Sequence, residues 1–90
     1  LMQNYPNPFN PVTKITFSIP ENAYVSLRVY DIQGREVAVL ADSEYYSGSY
    51  EVSFDASSLA SGVYFCVLEA AAIGSSAGGY SGIKKMVLMK

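Results

Sequence analysis

Val25-Ser26-Leu27-Arg28-Val29-Tyr30-Asp31-Ile32-Gln33-Gly34 alternates apolar and polar residues and then stops at a turn. Val25, Leu27 and Val29 point one way, Ser26 and Arg28 the other. That period of two belongs to a strand with one face on a core and one in water. Tyr24 and Tyr30 fall on the outer face, where an aromatic ring with a polar tip is well placed. Asp31 opens a tight turn, because its carboxylate can accept backbone N–H groups within the turn, and Gly34 at the fourth position accepts positive φ. Val37, Val39 and Leu40 continue as the return strand to about Ala41, which predicts a hairpin with three to five loop residues.

The flanking segments repeat the pattern. Upstream, Ile15, Phe17 and Ile19 alternate with Lys14, Thr16 and Ser18, and Pro20-Glu21-Asn22 ends that strand. Before it, Gln3-Asn4-Tyr5-Pro6-Asn7-Pro8-Phe9-Asn10-Pro11 places three prolines at close spacing. Each removes a donor and drives the residue before it toward extended geometry. Residues 1–13 therefore read as an extended lead-in, with Tyr5 and Phe9 as the groups that could pin it to the domain.

Downstream, Asp42 to Gly48 reads as a looser connection holding Tyr45 and Tyr46. Ser49 to Asp55 alternates again, with Tyr50, Val52 and Phe54 on one face. Ala56 to Gly62 crosses over, and Leu59, its one large apolar residue, is expected to plug the open end of the core. Val63 to Ala70 is apolar on both faces, which suggests a central strand. The small residues over 71–82 predict a flexible loop, and Tyr80 to Lys90 a final strand. Six or seven short strands at about ten-residue spacing predict an all-β fold, an antiparallel β-sandwich.

The chain has 90 residues, enough for one domain with a modest core. Half of it is hydrophobic and 16% is charged, a globular composition. A net charge of −2 gives no reason to expect nucleic acid or an anionic membrane as partner. No apolar run is long enough to span a bilayer as a helix. Leu1 in place of an initiator Met suggests a segment of a longer protein.

The inventory is poor in chemistry. There is no histidine and one cysteine, Cys66, within the apolar run Val63-Tyr64-Phe65-Cys66-Val67-Leu68. The usual zinc and nucleophile–histidine sites are thereby excluded. Cys66 reads as a small buried hydrophobe, and its role, if any, stays open. The eight carboxylates are scattered, and Asp31 reads as a turn residue rather than an acid catalyst. No phosphate-binding glycine pattern occurs. No catalytic activity, metal or cofactor is expected. Tyr24, Tyr30, Tyr45 and Tyr46 could form a platform for sugars, although tyrosine also suits sheet faces on its own account. Asn7, Asn10, Asp42 and Glu44 could supply calcium ligands, but no recognisable loop arranges them.

Lys85-Met86-Val87-Leu88-Met89-Lys90 forms a basic-apolar-basic strand, and Lys84 precedes it. A terminal strand frays unless it pairs. It also offers backbone groups and alternate side chains to a receptor that adds a strand. The candidate recognition residues are therefore Lys84, Lys85, Met86, Val87, Leu88, Met89 and Lys90.

Four segments in order resemble one family: Gln3 to Pro11, Val29-Tyr30-Asp31-Ile32-Gln33-Gly34-Arg35-Glu36-Val37, Phe54 to Phe65, and Lys84 to Lys90. Together they are similar to the type A C-terminal sorting domain of the type IX (Por) secretion system. The resemblance spans almost the whole chain. It implies an immunoglobulin-like sandwich that follows an exported cargo and is read by the outer-membrane translocon after Sec-dependent passage to the periplasm. It further implies attachment machinery with a sortase-like peptidase that often removes the domain, and a final location at the cell surface or outside the cell. The family-motif positions are Asn7, Pro8, Phe9, Asn10, Pro11, Tyr30, Asp31, Gly34, Leu59, Gly62 and Tyr64, with structural roles.

The Ig-like domain of the flagellar hook-capping protein shares the Asn-Pro-Phe-Asn-Pro opening and Gly-Val-Tyr. It generally carries Trp-Asp-Gly where this chain has Phe54-Asp55-Ala56, and this chain has no tryptophan. The chain also departs from the sorting family in the long loop before its last strand and in the pair Cys66-Val67. An Ig-like accessory module of a secreted enzyme, with or without carbohydrate binding, is the alternative reading. Exposed edge strands leave a dimer open.

Overall fold

The computed structural model describes residues 11–73 and 79–89. They form six strands: β1 (Val12–Ile19), β2 (Ala23–Asp31), β3 (Glu36–Tyr45), β4 (Gly48–Asp55), β5 (Gly62–Ala72) and β6 (Gly79–Leu88). Two antiparallel sheets result, one of β1 and β4 and one in the order β3-β2-β5-β6. The fold is the all-β sandwich that the alternation predicts.

Alternation determines which side chains meet between the sheets. Ile15, Phe17 and Ile19 of β1 face Val25, Leu27 and Val29 of β2, with Tyr64, Cys66 and Leu68 of β5 and Met86 and Leu88 of β6 completing the core. Phe17 stacks on Tyr50 at 5.5 Å between centroids and meets Tyr45 edge-on at 5.6 Å, so three strands from both sheets share one aromatic cluster. Burying such rings contributes on the order of 2 kcal/mol each. Leu59, in the β4–β5 crossing, packs half-buried against this core.

The β2–β3 hairpin is closed by Asp31. Its N–H donates to the Arg35 carbonyl at 2.9 Å, and its own carbonyl accepts the Gly34 N–H at 3.0 Å. Gly34 has φ +82°, the conformation that lets the return strand leave in register. At the start of β5, Gly62 has φ +153°, again a region costly for other residues. Tyr64 follows, and its hydroxyl donates to the Ala60 carbonyl at 2.6 Å. That bond ties the crossing to β5 in the manner of the tyrosine corner of immunoglobulin-type sandwiches.

Several boundaries differ from those read in the sequence. The connection expected from Asp42 to Gly48 is mostly strand, because Asp42 to Tyr45 pair with Ser26 to Ala23 of β2. Within the flexible loop expected over 71–82, Ala71 and Ala72 belong to β5 and residues 79–82 to β6. Pairing with a partner strand overrides the low β propensity of small residues. Residues 74–78 lie outside the described residues. The lead-in expected over 1–13 overlaps β1 by two residues, Val12 and Thr13, which pair with Asp55 and Phe54. Asn7, Pro8, Phe9 and Asn10, with Tyr5, lie outside the described residues, while the Pro11 carbonyl accepts the Ala56 N–H at 2.9 Å.

Candidate functional site

β6 stands last in the order of the four-stranded sheet, paired with β5. Its ladder with β5 runs from Ala71↔Gly79 to Gly62↔Leu88 without a register shift. The opposite edge, β3, is interrupted by two bulges against β2. Bulges blunt an edge toward further pairing, so β6 is the smoother template of the two.

The period of two splits the candidate residues. Met86 and Leu88 are 0% and 1% exposed and belong to the core. Lys85 and Met89 are exposed on the outward face, with Val87 half-buried between them. Lys84 lies in the inward row and is half-buried, opposite Cys66. Lys90 lies outside the described residues. The seven positions therefore form two sets: side chains that hold the strand in place, and side chains together with a backbone edge that face outward.

Charge is divided across the sheet. Residues 79–89 contain no carboxylate and two lysines. β3 carries Glu36, Asp42 and Glu44 on its outward face, with Arg28 of β2 bonded to Glu36 at 2.7 Å and to Asp42 at 3.4 Å. The Glu36 carboxylate at Arg28 holds that guanidinium's pKa above its usual value. Tyr24 donates to Asp42 at 2.8 Å, and the bonded carboxylate raises the phenol pKa.

Asp31 serves the turn. Its Oδ1 accepts the N–H groups of Gln33 and Arg35, and its Oδ2 accepts Arg35 Nε at 2.9 Å. The Arg35 backbone N–H, with help from its guanidinium, holds the Asp31 carboxyl below the ordinary aspartate value. Burial pushes the Cys66 thiol up to about 12, so a thiolate is scarce at neutral pH.

The tyrosines do not converge. Tyr45 packs inward against Phe17 and Tyr50, while its neighbour Tyr46 is 78% exposed. Tyr24 and Tyr30 lie six residues apart on β2, roughly 20 Å along the strand. Asp42 is engaged by Arg28 and Tyr24, and no group of three metal-ligating side chains forms among the described residues. A concavity of about 510 Å³ forms an open trough lined by Tyr24, Ser26, Glu69, Tyr80 and Ser81.

Asn22 escaped sequence reasoning beyond its place in a strand-ending turn. Its side-chain oxygen accepts the Ser47 N–H at 2.9 Å and its carbonyl the Ile73 N–H at 3.0 Å. One residue thus ties together the ends of β3 and β5; an asparagine two residues after a proline gives no local sign of such distant partners.

No helix among the described residues is long and apolar enough to cross a membrane. A family model described as a secretion system C-terminal sorting domain matches residues 3–87. Searches of curated proteins and of solved structures returned no match.

Proposed function

Because the chain belongs to the family of secretion system C-terminal sorting domains, we propose that it works as a non-catalytic label in which the outward side of β6 is read by the export machinery. Membership makes it a type IX secretion signal, an element of an exported protein that engages the secretion machinery. The translocon meets the domain in the periplasm, an upstream cargo follows it across the outer membrane, and a sortase-like peptidase separates the two at the surface.

The observation that carries the recognition step is the division of β6. Met86 and Leu88 anchor the strand in the core while Lys85, Val87 and Met89 face out beside an unbulged edge. A receptor for many cargoes needs a feature that every label presents alike, and a strand anchored in the core with its alternate side chains turned outward meets that need. Lys84 and Lys85 add positive charge, which speeds encounter with an acidic receptor surface.

Deleting the last residues is a poor test, because it removes Met86 and Leu88 from the core along with the signal. The informative experiment fuses a reporter to residues 1–90 in a type IX-competent host and compares Lys85→Glu and Met89→Glu with the parent. Surface or medium localisation of the parent, with periplasmic retention of folded variants, is the expected result. Equal export of all three would move the recognised feature away from β6. Periplasmic retention of the parent itself would sink the sorting function.

A further inference from the structure

The outward face of the four-stranded sheet is more apolar than a solvated face requires. Register sets its residues in rows across β3, β2, β5 and β6: Glu36–Tyr30–Phe65–Lys85, then Val39–Arg28–Val67–Ile83. Ile83 is 63% exposed and Val39 47%, with Phe65, Val67 and Tyr30 half-buried. The next row, Asp42–Ser26–Glu69–Ser81, is polar and bounds the patch. The outward face of the β1–β4 sheet has no such patch, since Lys14, Thr16 and Ser18 stand there opposite Ser53, Glu51 and Ser49.

We infer that this face binds a second copy of this chain, in an isologous pair whose two-fold axis runs parallel to the strands between β2 and β5. That rotation lays β6 of one copy over β3 of its partner, and β5 over β2, with each row above its own counterpart. Lys85 then meets the partner's Glu36, Ile83 the partner's Val39, Phe65 the partner's Tyr30, and Val67 the stem of the partner's Arg28. Two-fold symmetry makes each contact twice. The basic edge falls on the acidic edge, and apolar residues fall on apolar residues.

Glu36 already accepts Arg28, but a carboxylate has acceptor sites for a second cation. Aligned sheets pack face to face at about 10 Å, room for one interdigitated layer of such side chains. Pairing two copies through β6 edges is less favourable, because it gathers the lysines of both copies on one seam. From strand spacing the face offers roughly 500 Å² per copy, the low end for a specific contact, so the pair forms in a concentration-dependent way.

The test is sedimentation velocity of the chain from micromolar to millimolar, alone and as variants at two exposed positions that face each other in the pair. Wild type is expected to shift from monomer to dimer. Ile83→Lys and Val39→Glu should each weaken association about tenfold or more, because each sets a charge against an apolar side chain. An equimolar mixture of the two variants should recover association, since the introduced ammonium of one copy faces the introduced carboxylate of the other. That recovery also shows both variants to be folded. A wild type that stays monomeric throughout, variants that associate as well as wild type, or a mixture without recovery each overturns the proposal.

Discussion

Gly34 and Asp31 share one turn and fail in different ways. An added Cβ at Gly34 meets nothing within 4 Å, so space is not the constraint there; the +82° φ is. Gly34→Val should lower stability by roughly 1 kcal/mol or more, and Gly34→Asn by less, because asparagine tolerates the left-handed region. Thermal melts of the two variants beside wild type check the order. Asp31 responds to pH instead. Its folded pKa lies below the ordinary value, so the stability it contributes is present above the unfolded pKa and fades as pH falls through the folded one. The melting-temperature gap between wild type and Asp31→Asn should be open at neutral pH and close on acidification below the usual carboxylate range. A gap that persists at low pH would assign the effect to something other than the ionised carboxylate.

At the scale of the strand, β6 combines two roles on alternate residues. Met86→Ala removes a fully buried side chain and should cost about 2–5 kcal/mol, whereas Met89→Glu, at a position 56% exposed, should change stability by about 0.5 kcal/mol or less. Urea unfolding of both variants separates the roles before any export assay. Alternation in β1 and β2 was legible because each strand has one wet face and branched or aromatic residues on the other. The end of β3 was not, because Ala41 and Ser43 are too small to mark an inward row and Asp42 and Glu44 look like loop. Likewise Ala71, Ala72 and Gly79 have little strand preference of their own, and their pairing is set by neighbours distant in sequence. For the candidate site, composition showed the basic-apolar-basic ending. Which of its alternate rows turned inward depended on β5 and the opposite sheet, and no local pattern carries that.

At the scale of the molecule, the sandwich closes only through pairings far apart in sequence: Val12 with Asp55, Ala23 with Ala72, Gly62 with Leu88. Such topologies fold slowly, in milliseconds to seconds, because long loops must close before contacts repay them. Stopped-flow refolding should show this range, and microsecond folding would contradict it. The last strand in chain order also supplies two of the fully buried side chains, Met86 and Leu88. A copy whose synthesis halts before Met86 therefore lacks the keystone of its own core and stays unfolded, open to proteases. A folded domain thus certifies that the ribosome read through β6, because no partial copy can close the core without it.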